Sequence, residues 1–408
     1  MEKIVSADAV PEARSPAALN AEKVFLVDPY MDWAGEQRIP IHEDFGIDLL
    51  AIETAPWDWY GARGAFAHTH GRGDFMANYV VEIPPGGKTA PVRHLYESFV
   101  YVLSGHGSTT LWLPTGEKQT FEWGPTSLFA IPLNCQYQVF NGSGQETVRL
   151  SCTNDAPLTL NLYHDRDFVF NNPYQFASRY GKPNEYEGEG RHVLVDRGEA
   201  VSALNIWETS FIPSLEDFKL FAYNARGKGT TNCSFVLADG TLHSHCSEMP
   251  TGRYKKAHRH NAGTHVHAVT GVGYSLLWYE GDDKFVEIPW RHGVMYAPPH
   301  WMYHQHFNTG PERARYLACG LGSRRYPLSS LRKKSGAGAG QVSVKKGGRQ
   351  IEFEDQDPRI HRQWLEQIAG QNVKSEMGDI FDEPGLMKLD MAKHTGVIKT
   401  PVSVGPSE

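Results

Sequence analysis

Cysteine is scarce in this chain. The five residues Cys135, Cys152, Cys233, Cys246 and Cys319 are odd in number, scattered and form no CxxC pair. That fits reduced thiols better than a disulfide framework. Long apolar runs are also missing: no stretch approaches the roughly 18 residues that span a bilayer. The opening MEKIVSADAVPEARSPAA holds no apolar segment of a secretory leader, so a cytoplasmic, membrane-free protein is expected. Nor is there an excess of positive charge. A formal net charge of -7 gives no reason to expect nucleic acid or an anionic membrane as partner.

What the chain does have is turn formers and histidine. Forty Gly and 25 Pro in 408 residues point to a turn-rich, mainly β protein with room for two domains. Nineteen His would mean little if scattered, but they cluster.

The organising feature is a duplication. VVEIPPGGKTAPVRHLYESFVYVLSGHGSTTLW (80–112) repeats as HCSEMPTGRYKKAHRHNAGTHVHAVTGVGYSLLW (245–278). At an offset of 166, Glu82 matches Glu248, Pro84 matches Pro250, His94 matches His260 and Trp112 matches Trp278. WGPTSLFAIPLNCQYQVFN then matches WRHGVMYAPPHWMYHQHFN one residue out of step, through Trp123/Trp290, Pro132/Pro299 and Asn141/Asn308. A period this long means a duplicated domain. Each copy reads as short strands separated by Gly, Pro, Asn and Asp turns, which predicts two small antiparallel barrels or jelly rolls.

The expected organisation is an N-terminal extension (1–59), a first barrel (60–165), a connecting segment (166–229), a second barrel (230–325) and a tail (326–408). The Gly-rich, basic stretch LRKKSGAGAGQVSVKKGGR suggests that the tail is partly flexible. DPRIHRQWLEQIAG predicts a short helix over 358–369, with Asp357 as cap and Ile360, Trp364 and Ile368 as an apolar stripe. Its expected role is to dock on a barrel or on a neighbouring subunit.

Chemistry is expected in the second copy. His258 and His260 lie two apart on a predicted strand, so both imidazoles share a face. His304 comes from a later strand crossing the same barrel, and three neutral imidazoles there suit Fe, Mn, Ni, Cu or Zn. The equivalents in the first copy are Val92, His94 and Tyr137, so that copy is expected to be structural; an unusual His94/Glu97 site is the alternative.

RYKKAHRHNAGTHVHAVTGVG and GVMYAPPHWMYHQHFN resemble the two signature motifs of the cupin superfamily, with Gly293, Pro299, His304 and Asn308 in their places. The resemblance covers both repeats, about half the chain, and implies an all-β bicupin, two tandem cupin jelly rolls. The family's glutamate ligand is absent: its slot holds Thr264, with His265 next. By strand parity His265 points outward, whereas a bulge would bring it inward as a fourth ligand.

Bicupin length, three His without Glu, and one intact plus one degenerate site make the chain resemble gentisate and salicylate ring-cleaving dioxygenases. In that family the intact site is N-terminal, and here it is C-terminal. The resemblance implies an iron(II) enzyme that cleaves a C–C bond of a small aromatic hydroxy acid or diketone-like substrate with O2, as a homo-oligomer. Mn, Ni or Zn would instead imply a redox-neutral isomerase or decarboxylase, and absence of metal a ligand-binding bicupin.

Around the metal candidates, His306 shares the parity of His304, and His245 precedes the motif on its own strand. Both are candidates for proton transfer. Arg253, Lys255 and Lys256 either anchor a substrate carboxylate or form a solvated basic face. His68 and His70 are expected at an interface or surface.

Overall fold

The computed structural model describes residues 26–114, 116, 118–180, 185–196, 203–328 and 341–388, and the backbone of the strand Ile398–Lys399. The all-β expectation holds: two jelly rolls follow one another, each a large sheet packed against a smaller one. No helix among the described residues is long and apolar enough to cross a membrane.

The duplication read from the sequence is reproduced in strand register. Gly107 pairs with Trp123 and Asn141 in the first barrel, as Gly273 pairs with Trp290 and Asn308 in the second. The side chains repeat their bonds as well. The Trp123 indole donates to Thr109 at 2.9 Å, and that of Trp290 to Ser275 at 2.9 Å. Asn141 donates to the carbonyls of Ile83, Pro84 and Glu146; Asn308 donates to those of Met249, Pro250 and Glu312. A turn whose carbonyls would otherwise be buried unpaired is thus tied down by one amide in each copy.

The repeat reaches further back than the sequence match suggests. Arg149 clamps Glu82 and donates to Leu49 and Ile52 carbonyls, while Arg315 clamps Glu248 and donates to those of Leu215 and Phe218. These leading segments are exchanged between the barrels. Gly46–Asp48 pairs with Val294–Tyr296 of the second barrel, and Phe211–Ile212 pairs with Leu128–Ile131 of the first. The stretch expected to connect the barrels also supplies Leu204–Thr209, which runs parallel to Thr231–Leu237 in the second barrel's sheet.

Between the two large sheets lies a buried apolar layer that includes Ile47, Val80, Phe99, Phe235, Met295 and Leu317. Facing sheets packed in this way bury both partners' apolar faces. Glu97 closes one side of the joint, accepting from the amides of Thr241 (2.6 Å) and Leu242 (2.8 Å) and from Arg179 (2.7 Å).

The helix forms as Pro358–Gly370, capped by Asp357, and lies on the second barrel. Ile360, Trp364 and Ile368 are buried against Tyr254, Tyr274 and Phe307, and the Trp364 indole donates to the Asn308 carbonyl at 2.8 Å. The tail from 341 to 388 is therefore packed structure. The glycine-rich part expected to be flexible falls largely on 329–340, outside the described residues.

Candidate metal centre

His258, His260 and His304 come together, each with a ring nitrogen within 4.8 Å of the other two. The backbone explains the convergence. His258 and His304 form an antiparallel bridge, and Trp301 donates its amide to the His260 carbonyl at 3.0 Å. Gly263 and Gly293 take positive φ on either side of these strands, at 90° and 94°, where a side chain would be strained.

The rings are oriented by main-chain carbonyls. Nδ1 of His260 lies 2.7 Å from the Asn261 carbonyl, and Nδ1 of His304 lies 3.3 Å from that of Met302. A proton held there leaves Nε2 to offer its lone pair. Nδ1 of His258 is buried with no hydrogen-bond partner among the described residues. Burial, reinforced by neighbouring imidazoles and Arg226, holds His258 and His304 well below the ordinary histidine range. Both are neutral donors at physiological pH. The donor set thus fits a divalent transition metal, and among the described residues no carboxylate joins the cluster.

His265 does not join it. Its strand does carry a register shift, but this lies between Ala268 and Thr270, beyond the histidine, so the outward parity stands. The residue is fully buried between the barrels with neither ring nitrogen hydrogen-bonded, alongside His267, whose Nε2 is 3.0 Å from Ser151 Oγ of the first barrel.

His306 and His245 line the interior of the second barrel. Nδ1 of His306 is hydrogen-bonded to Ser275 Oγ (2.9 Å) and Tyr296 OH (2.8 Å), and its ring centroid lies 5.5 Å from that of His304. His245 Nδ1 is 3.0 Å from His243 Nε2. Both rings approach Tyr316, at 4.8 and 5.9 Å between centroids. Burial also pushes both well below the ordinary range, helped by Lys255 and Arg226 at His306, and by Arg324 and Lys255 at His245.

The three basic residues beside the motif separate. Lys256 pairs with Glu352 and Arg253 with Asp379. Lys255 turns inward, 2 % exposed, and its Nζ bonds Ser247 Oγ and, at 3.1 Å, Tyr316 OH, with no acid in reach of an ion pair among the described residues. Burial first, and Arg226 second, bring it down to about 7. Arg226 was missed in the sequence; it lies well before the motif and no local pattern points to it.

In the first barrel the equivalent positions are packed shut. His94 bonds the Tyr96 carbonyl (2.8 Å) and Tyr137 OH (3.1 Å), stacked 3.7 Å over the Tyr96 ring. Glu97 points away to the inter-barrel joint, so His94 and Glu97 share no site. Of the other pair, His68 is buried against Tyr30 OH at 2.7 Å, while His70 is exposed.

No protein-family model matches the chain, and no curated protein does. Solved structures do resemble it. A Bacillus subtilis oxalate decarboxylase mutant is 12% identical with a TM-score of 0.45, covering 78% of this chain and 87% of its own. The Lactobacillus farciminis oxalate decarboxylase–formate complex is 12% identical at 0.44, covering 76% and 94%. Salicylate 1,2-dioxygenase from Pseudaminobacter salicylatoxidans is 15% identical at 0.42, covering 61% and 71%.

Proposed function

We propose that the chain is a non-haem iron(II) dioxygenase that cleaves a C–C bond of a small, chelating, anionic substrate, with His258, His260 and His304 holding the metal. The observation that carries this reading is three converging imidazoles that, among the described residues, have no carboxylate in their cluster and lie beside a buried lysine with no acidic partner. A divalent ion on three neutral ligands keeps its full charge, and Lys255 adds to the positive field. Such a pocket favours a substrate bearing a carboxylate and a second oxygen.

Iron(II) held there would supply redox chemistry and bring a chelating substrate and dioxygen side by side. The chain's own groups do the rest. Lys255, steered by Ser247 and Tyr316, binds the carboxylate and fixes the substrate's orientation. His306 faces Ser275 and Tyr296 through Nδ1, which lets it hold a proton on one nitrogen while the other accepts from substrate. His245 offers a second acceptor on the opposite wall. Met302 and Trp290, both buried, narrow the space around the rings and limit water.

The test is elemental analysis of anaerobically purified protein, wild type against His260→Ala, followed by oxygen uptake with hydroxybenzoates, catechols and diketones. About one iron per chain, lost in the variant, with uptake on a carboxylate substrate, supports the proposal. Zinc, manganese or nickel instead would point to redox-neutral isomerase or decarboxylase chemistry, and no metal would leave a ligand-binding bicupin.

A further inference from the structure

Four amides along the strand that carries His258 and His260 donate to carbonyls of other segments, and part of that partnership comes from the distant C-terminal segment. Lys255 donates to the His306 carbonyl, Lys256 to that of Arg226, His258 to that of His304, and Arg259 to that of Arg349 at 3.1 Å. In return Ile351 donates to the Ala257 carbonyl at 2.9 Å, and Gln350 bridges to His258 in antiparallel register. Residues 349–351 thus add a short strand to the edge that the metal-binding strand would otherwise expose.

Three further contacts fasten the added strand. Arg226 donates from its guanidinium to Gln350 Oε1 at 3.0 Å. Lys256 pairs with Glu352, and Arg349 stacks over Trp301 at 4.5 Å. Trp301 belongs to the turn that leads into His304, so both ligand-bearing strands are held from outside by one segment.

The duplication supplies an internal control. The first barrel repeats the opening bonds of this ladder: Thr89 to the Val139 carbonyl, Ala90 to that of Tyr60, Val92 to that of Tyr137. At Arg93, the counterpart of Arg259, the ladder stops; among the described residues its amide donates no hydrogen bond. That edge instead borders an open cavity of about 580 Å³ lined by Trp33, Trp59, Phe170 and Arg93. Among the described residues the strand addition is present in the barrel that converges three histidines and absent from the one that does not.

We propose that residues 349–352 are a positioning element of the metal centre: they lock the backbone of the His258–His260 strand so that its imidazoles stay converged with His304. This rests on the metal reading above, and acts through the ligands rather than on substrate. Supports around metal ligands typically change affinity by about 10–100-fold when removed.

The experiment compares wild type with Ile351→Pro, which deletes the donor to Ala257, Ile351→Val, which keeps it, and Gln350→Ala, which releases Arg226. Two readouts are used on the full chain: amide exchange of the 256–261 region in metal-free protein, and Zn2+ affinity by chelator competition. The expected result is at least about tenfold faster exchange at Arg259 in Ile351→Pro, approaching that of Arg93 in wild type. Zn2+ affinity should fall by about 10–100-fold, with Ile351→Val unchanged. Should Ile351→Pro fail to fold, Gln350→Ala decides, with an expected loss of several-fold in Zn2+ affinity at an unchanged melting temperature. Wild-type exchange and affinity in Gln350→Ala, and in Ile351→Pro where it folds, would overturn the proposal. If wild type binds no Zn2+ at all, the metal reading and the positioning role fall together, whatever the exchange shows.

Discussion

His258 and His304 exchange both main-chain hydrogen bonds, at 3.1 and 2.9 Å, and their ring centroids stand 4.1 Å apart. Such a bonded pair places two side chains on the same face at nearly fixed separation. His260, two residues on, completes the triangle. Replacing His304 with Ala should therefore empty the site while leaving the bridge, which is backbone. Metal content per chain should drop from about one to near zero, more than about 100-fold in affinity, with the circular dichroism spectrum retained. Full metal occupancy in His304→Ala would remove these residues from the ligand set.

Lys255 is a buried cation beside two hydroxyls. Its folded value, about 7, is depressed; the stability linked to it is present above the unfolded value near 10.5 and lost as pH falls towards 7. Lys255→Met removes that penalty, so the variant should be at least as stable as wild type at pH 7. Binding of benzoate or 2-hydroxybenzoate to metal-loaded protein should weaken by about 10–100-fold, matching the 1.5–3 kcal/mol of a charged hydrogen bond. Calorimetric titration with the acid and its uncharged amide separates the two contributions. Equal loss for both would mean that Lys255 does not read the carboxylate.

The joint between the barrels should be acid-sensitive. His265 and His267 are buried there, and burial holds both at about 3; Arg72 and His68 face His265, and His265 itself acts on His267. For a histidine with a depressed folded value, the unfolded chain binds the extra proton. Stability is complete above about 6.5 and declines as pH falls towards 3, by up to about 1.4 kcal/mol per pH unit for each group. Urea unfolding at pH 7.5, 5.5 and 4.5 measures the slope. His265→Leu, which replaces a ring with no hydrogen bonds by an apolar group, should flatten it; an unchanged slope would place the acid sensitivity elsewhere.

The histidine triangle was legible because its elements are local: a His-X-His pair on a strand, and a third His fixed by the register of an internal repeat. The barrel architecture was legible for the same reason, since offsets of 166 and 167 persist across turns. What escaped depends on pairings without a local signal. Nothing near Gln350 announces that it lies against His258, and nothing near Gly46 shows that its strand completes the other barrel. Lys255 read equally well as surface or anchor, because the strand is irregular there and parity does not decide its direction. For His265 parity did decide, once the bulge was located beyond it.

Glu97 was weighed as a metal ligand and is instead a clasp. Its carboxylate receives two amides of the second barrel and one guanidinium of the connecting segment. Glu97→Ala should leave the amides of Thr241 and Leu242 unsatisfied in a largely buried joint and cost about 2–4 kcal/mol of stability. The expected readout is a lower denaturant midpoint with metal content unchanged. Loss of metal without loss of stability would revive a ligand role.

The last prediction concerns the barrel that does not gather histidines. Where the second barrel has His304, the first has Tyr137, whose hydroxyl links Tyr60 OH at 2.9 Å to His94 Nε2 at 3.1 Å in an interior that also buries the Tyr79 and Tyr96 hydroxyls. Burial holds His94 at about 4, so it is neutral, and its two nitrogens are engaged by Tyr137 and by the Tyr96 carbonyl. A metal ion would have to displace both bonds and, among the described residues, would find no second imidazole to join His94. Tyr137→Phe keeps the ring and removes only the hydroxyl, leaving one nitrogen and one phenol short of a partner, at a cost of about 1–3 kcal/mol. Thermal melting should shift downwards by several degrees while metal stoichiometry and oxygen uptake stay at wild-type levels. If turnover fell instead with stability intact, the first barrel would have to be counted among the working parts of the proposed activity.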